Sequence, residues 1–250
     1  MAKYTHDTVV PFKDSDLGKK QQVAQMFDRI AFRYDFLNRF LSGGIDVYWR
    51  KRAIRELIPF QPKTILDVAT GTADMAILMT RYLSSARITG IDISAGMLEI
   101  GREKIARLKL NGRVELHTGD SERIDFPDNS FDAVTVAFGI RNFENLEKGL
   151  SEMLRVLKPG GRLIVLEFSK PKKSGFRHLY ELYMSGVASP LGRLLSRNRE
   201  AYSYLNASVR VFPEGKELVN ILEKTGYTDN HHRPLSLGIC TLYQGAKILL

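Results

Sequence analysis

Hydrophobic residues along this chain follow two spacings in turn, and the alternation predicts a layered α/β domain. Short runs rich in Val, Ile and Leu are typical of strands buried on both faces, whereas apolar residues three and four positions apart are typical of helices. The seven β-like runs begin near residues 64, 87, 114, 131, 162, 228 and 237. Because helical stretches separate most of them, we predict a doubly wound, mostly parallel seven-stranded sheet with helices on both faces.

Two helical segments precede the first strand. The spacing predicts one helix over residues 19–40 and a second that is capped by Asp46 and stopped by Pro59. We therefore divide the chain into an N-terminal helical segment, 1–60, that covers the site, and a main domain, 61–250.

An insertion at residues 170–213 interrupts the alternation. Residues 170–216 contain nine Lys and Arg against three Glu, so they carry +6 of the net charge of +9. The insertion follows a strand at the carboxyl edge of the sheet, where ligands bind in such folds, and we expect a helical cap there. The last two strands have no helix between them, which predicts an antiparallel hairpin at the sheet edge.

Composition narrows the class of protein. Cys240 is the only cysteine among 250 residues, which excludes a disulfide framework and any multi-thiolate metal site, and we predict no metal. The N-terminus lacks the apolar run of a signal peptide, and no stretch of about 18 apolar residues occurs, so we expect a cytoplasmic protein. A pI of about 9.6 is compatible with a nucleic-acid partner, a membrane surface, or a solvated basic face.

The segment from Lys63 to Asp74 predicts a ligand site. It reads as a buried strand, a turn at Gly71 and a helix N-terminus, an arrangement in which backbone approaches a ligand closely. A dinucleotide fingerprint needs three glycines, and only Gly71 is present in register. We also expect the carboxylate of Asp74 to repel phosphate and favour a cation. A ligand with an ammonium group and no phosphate, such as S-adenosylmethionine, fits better.

Two further strand ends carry suitable polar groups. Asp92 follows the second strand, where a carboxylate can accept hydrogen bonds from both ribose hydroxyls. A capping role for Asp92 is the alternative, but Ser94 serves that purpose as well. Asp120 and Ser121 follow the third strand, where they could reach an adenine amine.

These motifs support a family resemblance. The segment Asp67–Ala73, with Asp92 and Asp120, resembles the first three motifs of class I S-adenosylmethionine-dependent methyltransferases, which have a Rossmann-like fold. The more specific segments are Tyr34–Asn38, Leu41-Ser42, Trp49-Arg50, Phe138–Asn142, Arg155–Gly161, Glu167–Ser169, Tyr202–Leu205 and Phe212-Pro213. Together they resemble the menaquinone and ubiquinone biosynthesis C-methyltransferases over nearly the whole chain. That family usually has a histidine where Asp46 stands, so we assign no role to this position.

The resemblance implies a cofactor and a reaction. The cofactor is S-adenosyl-L-methionine, and the product formed from it is S-adenosyl-L-homocysteine. The residues implied to hold it are Thr70, Gly71, Thr72, Asp92, Asp120, Ser121 and Ala137. The implied substrate is a polyprenylated quinol, methylated at a ring carbon. We favour demethylmenaquinol because Thr70–Asp74 resembles the menaquinone-only members, and a ubiquinone precursor is the alternative.

Three residues are the candidates for catalysis. Arg141 lies just past the fourth strand, where a guanidinium could stabilise the oxyanion of the quinol; a salt bridge at the strand end is the alternative. Asn142 could orient the same hydroxyl. Tyr34 and Asn38 lie one helical turn apart and could cover the site, although Tyr34 would serve equally in core packing. We identify no general base, and a water molecule could act instead.

The insertion adds possible partners. Tyr202 and Tyr204 are candidates for contact with the substrate ring. The basic, aromatic-rich segment could lie on an anionic leaflet, which makes peripheral contact with the inner face of the membrane a hypothesis. A homodimer is also left open.

Other functions are compatible with parts of this pattern. A nucleic-acid methyltransferase would account for the basic pI, but Phe138–Asn142 replaces the usual Asn/Asp-Pro-Pro-aromatic motif, and no RNA-binding module is recognisable. A non-enzymatic cofactor sensor would not need Arg141 and Asn142. A methyltransferase acting on a sterol or another phenol is a further alternative.

Overall fold

The computed structural model describes residues 4–171 and 199–249, and its centre is one seven-stranded sheet. The strands are β1 Thr64–Val68, β2 Arg87–Asp92, β3 Val114–Thr118, β4 Phe131–Ala137, β5 Leu157–Phe168, β6 Thr228–Leu235 and β7 Cys240–Ala246. Their spatial order is β3-β2-β1-β4-β5-β7-β6. The first five are parallel, and β7 runs antiparallel to both β5 and β6. The predicted fold class and the predicted edge hairpin are confirmed.

Helices cover both faces of this sheet. They are α1 Lys19–Leu41, α2 Ile45–Arg55, α3 Asp74–Tyr82, α4 Ala95–Arg107, α5 Leu146–Val156, α6 Arg199–Val211 and α7 Lys216–Thr225. Alternate residues of β1 enter different cores: Ile65 packs with α2, α3 and α4, whereas Leu66 packs with α5 and α7. The buried apolar run of β1 therefore reflects burial on both faces, as its composition predicts.

Two local predictions are wrong. Asp46 does not cap α2, because Gly44 occupies the N-cap position in the left-handed conformation that glycine adopts readily. The carboxylate of Asp46 instead accepts a hydrogen bond from Ser42 Oγ at 2.8 Å and pairs with Arg50 in the next turn. The strand predicted to begin near residue 162 begins at Leu157, so Lys158–Gly161 belongs to β5 itself. The register of β5 against β4 shifts there, which accommodates the two glycines within a strand.

The insertion is described only in part. Helix α6 forms its last portion, while residues 172–198 lie outside the described residues. In the part of the chain that the structure describes, no helix has both the length and the apolar character needed to cross a membrane.

Candidate active site

The carboxyl ends of β1, β2, β3 and β4 meet beside a cavity that is partly open to solvent. Five of the predicted cofactor residues line it: Gly71, Asp92, Asp120, Ser121 and Ala137. Two predicted catalytic residues, Tyr34 and Asn142, line the same cavity. A concave site with apolar walls and a few convergent polar groups is typical of small-molecule sites. The structure therefore brings most of the predicted residues to one place.

The turn after β1 is held by Asp92. The backbone N–H of Gly71 donates to Asp92 Oδ2 at 2.8 Å, and Ser94 N–H donates to Oδ1 at 2.9 Å. Gly71 has φ of +56°, the left-handed region that favours glycine. The turn also meets the segment after β4 closely, because a Cβ on Gly139 would lie 2.5 Å from Ala69 Cβ. Burial raises the pKa of Asp92.

A second buried carboxylate, that of Asp67, also stabilises the turn after β1. Asp67 is 1% exposed and accepts hydrogen bonds from Thr70 Oγ1 and Thr135 Oγ1, both at 2.6 Å. Burial raises the pKa of Asp67 to about 6, although the two hydroxyls oppose the shift. The Thr70 hydroxyl is therefore directed at Asp67, and Thr70 is not part of the cavity wall.

Thr72 also turns away from the cavity. Its Oγ1 donates to Asp35 Oδ1 at 2.5 Å and accepts from Lys104 Nζ at 3.0 Å. Lys104 Nζ also lies 2.6 Å from carboxylate oxygens of both Asp35 and Asp74. This junction joins α1, the glycine turn with α3, and α4.

The junction corrects one step of the sequence argument. Burial alone would raise the pKa of Asp74, but Lys104 holds it below its usual value, so the carboxylate is ionised and paired. Arg39 adds a second contact at 3.3 Å. Asp74 does not line the cavity and is already neutralised, so the expectation that it selects a cationic ligand is wrong. The argument against pyrophosphate rests on the missing glycines alone.

Sequence reasoning missed a cluster of charged residues after the third strand, to which α1 contributes Lys20. Lys20 lines the cavity, and its Nζ lies 2.6 Å from Asp120 Oδ2 and 3.3 Å from Glu122 Oε2. Glu122 Oε1 accepts the backbone N–H groups of Glu144 and Asn145, both at 2.9 Å. Only the short spacing between Asp120 and Glu122 could have signalled this cluster, because Lys20 is 100 residues away.

Arg141 lies behind the cavity wall. Its Nη1 donates at 2.6 Å to both Glu167 Oε1 and the Phe138 carbonyl, and the residue is 3% exposed. The guanidinium carbon lies 5.4 Å from the centre of the Phe168 ring. The salt bridge considered as the alternative for Arg141 is thus present, and Arg141 is not among the residues that line the cavity.

Asn142 has a hydrogen-bond partner on α6, in the described part of the insertion. The Tyr204 hydroxyl donates to Asn142 Oδ1 at 3.1 Å, and Tyr204 lies on α6. The backbone of Asn38 and Tyr202 lies within helices, but their side chains are outside the described residues, so the predictions for them stay predictions.

Solved structures with this architecture include methyltransferases. An S-adenosylmethionine-dependent methyltransferase of Thermotoga maritima, described as a possible histamine N-methyltransferase, is 21% identical, with a TM-score of 0.63 over 90% of this chain and 99% of that one. The phosphoethanolamine N-methyltransferase 2 of Haemonchus contortus, solved with phosphomonomethylethanolamine and S-adenosylhomocysteine, is 16% identical, with a TM-score of 0.64 over 93% of this chain and 61% of that one. At these identities the likeness shows the fold.

Sequence comparisons identify the family. A demethylmenaquinone methyltransferase of Bacteroides fragilis is 46% identical over 98% of this chain and 99% of its own length. A protein of Geotalea daltonii named ubiquinone/menaquinone biosynthesis C-methyltransferase UbiE is 46% identical over 94% of this chain and 100% of its own. The model of the ubiE/COQ5 methyltransferase family matches residues 15–247, which include the strand ends, the cavity and the cap. The chain therefore belongs to the ubiE/COQ5 methyltransferase family.

Proposed function

We propose that this chain is an S-adenosylmethionine-dependent C-methyltransferase that converts demethylmenaquinol to menaquinol. The observation that carries the proposal is one cavity lined by the loops suited to the cofactor and also by Asn142 and Tyr34. The names of the relatives in Bacteroides fragilis and Geotalea daltonii support quinone C-methylation, and the first of them supports the menaquinone step.

The residues around the cavity fit this cofactor. The Asp92 carboxylate, fixed by Gly71 and Ser94, suits the ribose hydroxyls, since each of its oxygens can accept a further hydrogen bond. Asp120 and Ser121 suit the adenine edge, and Ala137 suits the wall near the methyl group. Thr70 and Thr72 act indirectly in this proposal, because their hydroxyls hold the turn in place.

The chemistry requires little covalent participation by the protein. S-adenosylmethionine supplies an electrophilic methyl group on a positively charged sulfur, and this sulfur keeps the electron pair of the broken bond. The ring carbon of the quinol becomes nucleophilic when a neighbouring hydroxyl loses its proton, and after methylation it releases its own hydrogen as a proton. The protein must align the two reactants and stabilise the oxyanion. We assign hydrogen bonding of that oxygen to Asn142 and coverage of the ring to Tyr34.

Arg141 needs a separate test. Arg141→Ala alone would leave Glu167 buried without its partner, which costs about 3–5 kcal/mol in comparable sites. We therefore pair Arg141→Met with Glu167→Met. If Arg141 stabilises the oxyanion, the double variant binds S-adenosylmethionine within a few-fold of wild type but loses turnover. If turnover survives, Arg141 serves only the fold.

The substrate is tested by comparing the two quinols in separate incubations. The protein is incubated with labelled S-adenosylmethionine and either short-chain demethylmenaquinol or the short-chain ubiquinone precursor. We expect label in the menaquinol product at a much higher kcat/KM. Preferential labelling of the ubiquinone precursor would reassign the substrate, and labelling of neither would overturn the proposed function. Asn142→Ala is expected to lower kcat while the Kd for S-adenosylmethionine stays within a few-fold.

We also propose peripheral contact with a membrane surface, because the quinol's isoprenoid tail resides in a bilayer. The basic insertion supports this proposal, since its charge of +6 suits an anionic leaflet. Co-sedimentation with vesicles is expected to rise with the fraction of anionic lipid and to fall with salt. Equal sedimentation with neutral and anionic vesicles would contradict it.

A further inference from the structure

Tyr204 stands where three parts of the fold meet beside the cavity. It lies on α6, is 3% exposed, and packs in a small apolar cluster with Val23 and Met26 of α1 and with Ala201. Its hydroxyl reaches past this cluster to Asn142 in the 3-10 helix that follows β4. The cap, the N-terminal helix and the sheet edge therefore converge on this side chain.

The hydrogen bond determines which way the Asn142 amide faces. The Tyr204 hydroxyl donates to Asn142 Oδ1 at 3.1 Å, and the amide is planar, so binding the oxygen also sets the direction of the Nδ2 group. Among the described residues, no protein acceptor forms a hydrogen bond with the two N–H donors of Asn142 Nδ2. Since Asn142 lines the cavity, these donors are available to a ligand oxygen there.

The surroundings keep Tyr204 in the donating form. Burial raises the pKa of Tyr204, so the hydroxyl retains its proton at any working pH. Arg141 and Glu167 are close enough to influence this hydroxyl, but they have opposite charges and are paired with each other at 2.6 Å. A buried tyrosine hydroxyl needs a partner, and Asn142 Oδ1 provides it.

We propose that Tyr204 is a positioning residue that holds the Asn142 amide with its N–H groups toward the oxygen of the substrate ring. The inference rests on the proposed function, and it adds that the cap contributes to catalysis through Asn142. Without the Tyr204 hydroxyl the Asn142 amide can rotate, and its N–H groups then meet the oxyanion in only a fraction of molecules. Catalysis depends on such preorganised donors.

The test is Tyr204→Phe, which keeps the packing with Val23 and Met26 and removes only the hydroxyl. We expect kcat for demethylmenaquinol to fall roughly tenfold, which corresponds to the loss of one oriented hydrogen bond. The Kd for S-adenosylmethionine should not change. The matched control is Tyr227→Phe, because the Tyr227 hydroxyl is also buried and donates at 3.0 Å to the Leu150 carbonyl, away from the cavity. The control variant should retain wild-type kcat.

A double-variant cycle separates positioning from direct contact with the substrate. If Tyr204 acts through Asn142, adding Tyr204→Phe to Asn142→Ala lowers kcat no further. The inference would be overturned if the two losses were fully additive, or if Tyr204→Phe left kcat unchanged. The proposed function would still stand in either case, because it depends on turnover by the wild-type protein.

A spectroscopic measurement tests the inference without turnover. The side-chain N–H resonances of Asn142, identified by their absence in Asn142→Ala, are expected to shift in Tyr204→Phe and to stay in place in Tyr227→Phe. Resonances that stay in place in both variants would overturn it. If the wild-type protein methylates no quinol, the proposed function fails, and this spectrum still decides whether Tyr204 orients Asn142.

Discussion

At the scale of single residues, the site depends on buried carboxylates that hold backbone and hydroxyl groups. Asp92 was predictable because a carboxylate at the end of the second strand must lie near the turn that follows the first. The contact of Asp67 with Thr70 and Thr135 was not predictable, since a strand residue gives no indication of which hydroxyl it meets across the sheet. The ion pair between Lys104 and Asp74 was not predictable either, because the two residues lie on separate helices.

The raised pKa of Asp67 predicts a pH-dependent affinity for the charged cofactor. Above a pKa of about 6 the carboxylate is ionised and attracts the sulfonium, and below it the attraction is lost. We expect the affinity for S-adenosylmethionine to fall roughly fivefold between pH 7.5 and pH 5.5, as a partly screened charge pair implies. Titration calorimetry at both pH values measures the change.

Two comparisons isolate the contribution of Asp67 from that of Asp92. S-adenosylhomocysteine lacks the sulfonium charge and should show a smaller change with pH. Asp67→Asn should flatten the dependence for S-adenosylmethionine. If Asp67→Asn kept the full pH dependence of the wild-type affinity, the effect would belong to Asp92 or to another group.

At the scale of elements, α1 contacts the loops after three strands in succession. Lys20 meets Asp120 after β3, Asp28 accepts from Ser94 Oγ at 2.6 Å after β2, and Asp35 meets Thr72 after β1. Two of these loops are proposed to hold adenine and ribose, and the third is the glycine turn. The contacts support the proposal that the N-terminal segment covers the site, and from them we predict that movement of α1 speeds departure of the cofactor.

Weakening one of these contacts should therefore speed release of the cofactor. Lys104→Met removes the cation shared by Asp35 and Asp74, and we expect S-adenosylmethionine to dissociate roughly fivefold faster, as for a partly exposed ion pair. Stopped-flow displacement measures the rate. Glu99→Gln, which removes a more exposed ion pair within the same helix, serves as control. Equal rates for Lys104→Met and wild type would show that α1 does not limit release.

At the scale of the whole molecule, the alternation of strands and helices was predictable. The order of the last two strands at the β6 edge of the sheet was not. Parallel neighbours follow from helical crossovers, because each crossover returns the chain to the same end of the sheet. The last hairpin could pair with β5 through either of its strands. It pairs through β7, where Leu242 of β7 opposes Leu166 in the buried sheet, while the more polar β6 takes the edge.

Acid stability should depend on a histidine at the N-terminus. His6 is fully buried with its ring 5.2 Å from that of Phe212, and burial, with the charge of Lys19, lowers its pKa to about 3. Since the unfolded chain binds a proton below about pH 6.5 and the folded chain does not, stability is complete above that pH and falls as the pH decreases toward 3. At pH 5 we expect a loss of about 2 kcal/mol from this residue.

Urea unfolding at pH 7.5 and pH 5 measures this loss. His6→Phe should show a smaller decrease than wild type, because phenylalanine fills the same buried site, where Asp7 Oδ1 lies 3.1 Å from His6 Nε2, without titrating. His117→Phe, at a side chain that is 53% exposed, should decrease as wild type does. An identical decrease for His6→Phe would rule out the histidine as the cause.

The contacts of α1 also constrain the order in which the molecule can be assembled during translation. Lys19 N–H donates to Glu144 Oε1, and Lys20 pairs with Asp120, so α1 leaves the ribosome before these loops, which are made about a hundred residues later. Until those loops emerge, α1 lacks part of the surface on which it packs. Closing such long loops is costly before their contacts form. Helix α1 is thus expected to be among the last elements to reach its native place, although it is made before the loops on which it docks, and the cofactor site of a nascent chain stays open until then.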